Sequence, residues 1–171
     1  MLITKATPKE EVLKQAKGNC TGCSKCCNYG SGVAAPDDIP RIARVLGLGE
    51  KETKEKFFEP VEKFNTVLHR PKLLRAKKEQ PYGKCIFLKD SKCSIDPVKP
   101  LMCKIGTCEE DSRDLLKWFD ANHFLNPKDP ESVRQYALHL EFNDPLPGVT
   151  LKDVVADGRI LAAMLNYEML K

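Results

Sequence analysis

Long hydrophobic runs are missing from this chain of 171 residues. No stretch approaches the roughly 20 apolar residues that a helix needs to cross a bilayer. The amino terminus, Met1-Leu2-Ile3-Thr4-Lys5, shows no apolar segment leading to a small-residue cleavage pattern, so no secretory signal is expected. A strong charge imbalance is missing too: 28 basic residues face 24 acidic ones, a net charge of +4. The densest basic stretch carries Arg70, Lys72, Arg75, Lys77 and Lys78 with no aromatic between them on which a base would stack. It is expected to be a solvated face, and nothing argues for nucleic acid. Gly30-Ser31-Gly32 lacks the lysine and spacing of a phosphate loop and reads as a flexible turn. These gaps leave a protein without a membrane span, with a cytoplasmic address expected by default.

What is present suits one small domain over residues 1–171, mainly α with short strands and metal-binding loops (α+β in a minor way). Thr7-Pro8-Lys9-Glu10 reads as a capped helix start, and Val12, Leu13 and Ala16 form one apolar stripe. Asp37 or Asp38 is placed to cap a second helix that ends at Gly47; this reading is preferred to a paired acid and base. A third helix is expected from Glu50 to Phe58, and extended pieces at Thr66–Leu68 and Leu73–Arg75. Pro97 is expected to start a short helix carrying Met102 and Cys103. A helical region follows over 110–170, in periodic stretches 111–121, 131–142 and 151–170. Trp118 and Phe119 read as core there. The histidines, His69, His123 and His139, have no Cys-x-x-His spacing and are not expected to be ligands.

The chemistry sits in eight cysteines, gathered in a core over 20–108. The first group is Cys20-x2-Cys23-x2-Cys26-Cys27; the second is Cys85-x7-Cys93-x9-Cys103-x4-Cys108. In a reducing compartment so dense a pattern points to metal rather than disulfides. Two-residue gaps let a tight turn bring sulfurs to one centre, and three cysteines so spaced supply three corners of a cubane, the fourth ligand coming from afar. All eight are therefore candidate ligands. Eight thiolates suffice for two four-cysteine centres, for a cluster plus a zinc, or for one centre with cysteines left over. Structural zinc sites favour two separated pairs, which the run at Cys20–Cys27 does not resemble. One or two [4Fe-4S] clusters are the leading expectation, with zinc as the alternative. In an extended segment neighbouring side chains point apart, so Cys26 and Cys27 are expected to serve different centres, or only one of them to ligate. The radical S-adenosylmethionine spacing C-x3-C-x2-C fails: Cys23 and Cys27 have the first gap, but Gly30 occupies the third position.

These motifs resemble the CxxCxxCC family, the YkgJ-type cysteine-cluster proteins described as zinc- or iron-chelating. The resemblance runs over Cys20 to Cys108: the complete first motif, then Cys85-Ile86-Phe87-Leu88, Cys93-Ser94-Ile95, Lys99-Pro100-Leu101-Met102-Cys103 and Cys108, with Asp37-Asp38 and Ile42-Ala43 also familiar. Lys99 and Lys104 stand where the family often has arginine, and Asp96 and Ile105 where it often has an aromatic. The resemblance implies metal chelation by these thiols. Family members are commonly labelled iron–sulfur oxidoreductases, and a related domain occurs in the bacterial flagellin lysine methylase. The expectation is therefore an iron–sulfur protein with a redox or accessory electron-transfer role, a component of an oxidoreductase, working with a protein redox or maturation partner. Met102 and Ile86-Phe87-Leu88 would shield the centre, and Lys99 and Lys104 would offset its negative charge. The alternative is a zinc- or iron-chelating module without redox chemistry.

Overall fold

The computed structural model describes residues 2–16, 22–106 and 112–169. Chain order is α1 (Lys9–Ala16), α2 (Lys25–Tyr29), α3 (Asp38–Leu46), α4 (Glu50–Phe57), β1 (Phe58–Lys63), β2 (Thr66–Pro71), β3 (Leu73–Leu74), β4 (Lys84–Cys85), β5 (Leu88–Lys89), β6 (Lys92–Cys93), α5 (Leu101–Ile105), α6 (Ser112–Phe119), α7 (Pro130–Leu140), α8 (Leu151–Val154) and α9 (Gly158–Leu165). Helices dominate, and the strands form three two-stranded ribbons, β1-β2, β3-β4 and β5-β6. The fold is thus mainly α with short strands. No described helix is long and apolar enough to cross a membrane.

The chain divides into two compact units. The first comprises residues 1–15, 62–67 and 113–171. Its core buries Val12, Leu115, Phe119, Phe124, Val133, Leu146 and Val149. Each of these apolar side chains contributes roughly 1.5–3 kcal/mol relative to exposure. Trp118 is core as expected and donates its indole N–H to Thr7 O (2.9 Å). The tip of the first ribbon turns through Phe64 and Asn65, both at positive φ, and Asn is suited to that conformation. The helical stretch expected over 151–170, interrupted at Gly158, is two helices, α8 and α9, the second starting at Gly158. Asp157 ends the connection by capping α9, accepting from the N–H groups of Arg159 and Ile160.

The second unit comprises residues 16–61 and 68–112, and it carries the described cysteines. Its core gathers Ala34, Ile42, Phe58, Cys85, Phe87, Leu88 and Ile95, with Cys27 and Cys93 packed against it. The helix expected up to Phe58 ends at Phe57, and the strand β1 that follows includes Pro60. A two-stranded ribbon has free edges, where a residue without an N–H costs no ladder bond. Pro97 lies in a separate 3-10 turn, Asp96–Val98, and the short helix carrying Cys103 starts only after Pro100.

Glu59 on β1 clasps the segment that leads into β3. It accepts from Arg75 Nη1 and Nη2 (2.8 and 2.6 Å), Arg70 Nε (2.9 Å) and the Leu73 N–H (3.4 Å). Two members of the basic stretch are thereby neutralised. The Arg75 guanidinium, then Arg70 and the Leu73 N–H, hold the Glu59 carboxyl at about 2, against burial, from an ordinary 4.5. A depressed folded value gives stability that is full above the unfolded value and is lost as pH falls toward the folded one. Glu59→Gln should therefore cost about 2 kcal/mol at pH 7. It should also flatten the loss of stability between pH 4.5 and 2. Urea unfolding followed by circular dichroism across that range measures both.

Candidate metal centre

Six cysteines are described: Cys23, Cys26, Cys27, Cys85, Cys93 and Cys103. Cys20 and Cys108 lie outside the described residues. Cys26 and Cys27 sit on α2, which the Gly30 N–H closes on Cys26 O (2.8 Å). This corrects the expectation of an extended pair. In a helix, successive side chains diverge by about 100°, so they share a broad face instead of opposing one another. Cys26 is exposed and Cys27 is half-buried. Cys85 pairs with Leu73 across β3-β4, and Cys93 with Leu88 across β5-β6. Cys103 rides on α5.

Four of these thiols form a mutually interacting set. Cys27 feels Cys85 and Cys93; Cys103 feels Cys27, Cys85 and Cys93; Cys85 feels Cys93. Every one of the pairs among Cys27, Cys85, Cys93 and Cys103 is thus electrostatically coupled, although they come from four separate segments. Burial, before any neighbour, pushes the Cys27 thiol up to about 12, and Cys26, Cys85 and Cys93 add to it. Burial likewise pushes Cys103 up to about 12, against the pull of the Gly32 N–H. Cys85 is raised by burial and held back by the Phe87 and Leu88 N–H groups. Cys93 is raised by burial and by Asp96, and held back by the Ile95 N–H and by Lys99. Thiols in this setting stay protonated unless a cation replaces the proton. Among the described residues no three Cys, His, Asp or Glu side chains are gathered closely enough to hold a metal ion in this metal-free structure. The donor set nevertheless suits a soft, thiophilic metal: four sulfurs, apolar surroundings and backbone N–H groups aimed at sulfur.

Two residues that place Cys103 were not legible as such in the sequence. Gly32, read as part of a flexible turn, donates its N–H to Cys103 Sγ (3.2 Å), and Val33 donates to Met102 Sδ (3.3 Å). A Cβ on Gly32 would lie 2.6 Å from Cys103 N and 2.7 Å from its Sγ. Asp38, read as a helix cap, is fully buried, and its carboxylate reaches well beyond its own helix. It accepts from Ala35 N–H (2.7 Å), from Leu101 N–H at the start of α5 (2.7 Å), and from the Arg41 guanidinium. One carboxylate therefore ties the segment around Ala35 to the helix that bears Cys103. No sequence pattern marks a bond across 63 residues. An acidic residue before an apolar helix was the only signal.

Comparison with models of known families matches residues 19–123, more than half of the chain, to CxxCxxCC, described as a "putative zinc- or iron-chelating domain". No curated protein and no solved structure matches the chain.

Asp38→Ala removes the acceptor from two backbone donors and a guanidinium, and should cost about 3–5 kcal/mol in urea unfolding of the reduced, metal-free protein. Gly32→Ala should displace Cys103 and speed its alkylation, read by mass spectrometry. Gly49→Ala, where nothing lies within 4 Å of the added carbon, should leave that rate unchanged.

Proposed function

This chain belongs to the CxxCxxCC family, and from that premise we propose that it is an iron–sulfur protein whose inner thiols, Cys27, Cys85, Cys93 and Cys103, hold a [4Fe-4S] cluster. Metal binding itself comes with the family, whose domain is zinc- or iron-chelating. The observation that supports the finer reading is that Cys85 lies in one apolar cluster with Cys27 and Cys93 packed against it, thiols drawn from β4, α2 and β6. The other four cysteines, Cys20, Cys23, Cys26 and Cys108, are those left for a second centre.

Bound there, a cluster supplies single-electron chemistry, with a potential set by burial and hydrogen bonds to sulfur. The chain's own residues supply both controls. Ile42, Phe58, Phe87, Leu88 and Ile95 exclude water around Cys85, with Cys27 and Cys93 against the same cluster. The N–H groups of Gly32, Phe87, Leu88 and Ile95 donate to Cys103, Cys85 and Cys93. Each stabilises negative charge on sulfur without adding a formal charge. Lys99 adds a positive charge near Cys93. The role is redox or accessory, passing electrons to a protein partner.

One observation favours a second reading. At Cys85 the amides of Phe87 and Leu88 turn back to the thiol, and at Cys93 that of Ile95 does, a tight turn that serves a single tetrahedral zinc or iron ion equally well.

Anaerobic purification, a visible spectrum, and assays of iron, sulfide and zinc separate the two. A cluster gives a brown protein with broad absorption near ~400 nm, equal iron and sulfide, and bleaching by dithionite. A colourless protein with stoichiometric zinc overturns it. Cys85→Ser or Cys103→Ser should abolish the colour, and a variant that keeps full iron and sulfide would remove that residue from the ligand set.

A further inference from the structure

Side chains along the β3-β4 ribbon alternate between two faces. Leu73 and Cys85, paired in register, are buried; Leu74 and Lys84, the next pair, are exposed. An exposed leucine thus lies on the reverse of the ribbon that carries a candidate ligand. Two tyrosines flank it. Tyr82 directly precedes Gly83, and Tyr29 at the end of α2 is brought to the same place because the Gly83 N–H donates to Tyr29 O (3.2 Å). Gly83 is pressed against Leu74, whose carbonyl oxygen would lie 2.7 Å from a Cβ on Gly83. Tyr29 is 67% exposed, Leu74 55% and Tyr82 50%, so three large apolar residues whose backbones meet at one buried glycine are left in water. A single exposed apolar residue is ordinary, whereas a group of them on one face marks an interaction surface.

The rim of this face is basic. Lys77 and Lys78 belong to its loop: the Gln80 N–H donates to Lys77 O (3.1 Å), and Gln80 Nε2 reaches the Tyr82 hydroxyl (3.5 Å). Lys77, Lys78 and Lys84 are exposed, and none of them makes a salt bridge among the described residues. Glu79 is the one carboxylate between Lys72 and Lys84. A centre of tyrosine and leucine bordered by charge is the anatomy of a protein–protein interface. A second copy of this chain would set the same lysines against these, and like charges across an interface are costly. A nucleic acid would use the lysines and leave Leu74 without a partner.

We infer that this face, with Tyr29, Leu74 and Tyr82 at its centre and Lys77, Lys78 and Lys84 around them, docks an acidic protein whose carboxylates ring an apolar patch. The purpose of docking rests on the proposed metal centre: Cys85 follows Lys84 directly, so a protein seated here lies against the strand that carries one of its thiols. The docking itself needs no metal. Apolar contact with the two tyrosines and Leu74 supplies affinity, and the lysines steer the acidic surface onto them.

The test uses the full chain as purified anaerobically and four probes: a random copolymer of glutamate and tyrosine, polyglutamate of equal length, oligo(dT), and vesicles of equimolar phosphatidylglycerol and phosphatidylcholine. The copolymer should bind more tightly than the other three, and more weakly as salt rises. Lys77→Glu with Lys78→Glu should weaken copolymer binding at least about tenfold. Tyr82→Ser should weaken it about fivefold and leave polyglutamate binding unchanged. Lys51→Glu with Lys152→Glu, the same change of net charge at exposed positions on α4 and α8, should keep it within about twofold of wild type. An equal effect of the two lysine pairs overturns the inference, because net charge alone would then explain binding. Equal affinity for copolymer and polyglutamate overturns the apolar centre, and tighter binding of oligo(dT) or vesicles overturns the acidic protein as occupant. Should a variant fail to fold, carbodiimide coupling of the wild-type chain to the copolymer decides. Coupling concentrated at Lys77, Lys78 and Lys84 in peptide maps supports the face, and coupling spread evenly over the exposed lysines overturns it. Metal content is assayed in parallel: a chain that takes up no metal yet binds the copolymer through these residues overturns the metal centre and leaves the docking face standing.

Discussion

The cost of placing negative charge on partly buried thiols is the constraint on which the second unit depends. Ionising Cys27 or Cys103 alone is already opposed by burial, and each further thiolate opposes the next. Without a cation the four sulfurs remain neutral thiols, weak hydrogen-bond partners that an apolar core tolerates. With one, the same burial strengthens every sulfur–metal attraction, because the surroundings screen charge poorly. The fold is thus compatible with both states, and the N–H groups aimed at sulfur gain strength when the sulfur carries negative charge. This explains why small elements suffice here. Ribbons of two residues and helices of five hold no stable structure by themselves; they hold sulfurs in place when something joins the sulfurs together.

The Asp38 carboxylate belongs to that scheme even though it lies outside the thiol set. α5 is too short for its own end to be satisfied internally, and a carboxylate from α3 takes the N–H of Leu101. Placing a buried anion there requires compensation, which Arg41 and the Ala35 N–H provide. The same anchor brings Gly32 against Cys103, so a charge that never touches sulfur sets the hydrogen bond that sulfur receives.

Much of this was legible in the sequence, for identifiable reasons. Cysteine spacing is a local property, so the two groups and the family they signal could be read directly, as could helices with strong apolar periodicity such as α6 and α7. What escaped was non-local. The helical setting of Cys26 and Cys27 depends on α2 packing beside β4, a contact that a stretch with no apolar period cannot announce. Gly32 looked like a turn because glycine serves turns and close approaches alike, and only the partner, Cys103, distinguishes them. Asp38 passed for a cap because Asp before an apolar stripe usually is one; its actual acceptor role points at another helix.

The departures from the family's pattern near Cys93 are better understood together than singly. Lysine replaces the frequent arginine at position 99, and aspartate replaces an aromatic at position 96. Taken alone, Lys99 forfeits a bidentate fork, and Asp96 brings a negative charge that disfavours the thiolate of Cys93. In the structure they pair, Lys99 Nζ to Asp96 Oδ1 at 2.8 Å, across the turn Asp96–Val98. Their effects on Cys93 run in opposite directions, Asp96 raising it and Lys99 lowering it. A lysine acts as a point charge and needs no planar partner, so it fulfils the electrostatic part of the arginine's place while holding the turn that Asp96 begins. Together the two residues form an ion pair that leaves the local charge near neutral. The setting of Cys93 then rests on its Ile95 N–H and on the apolar packing of Ile95, both independent of that ion pair.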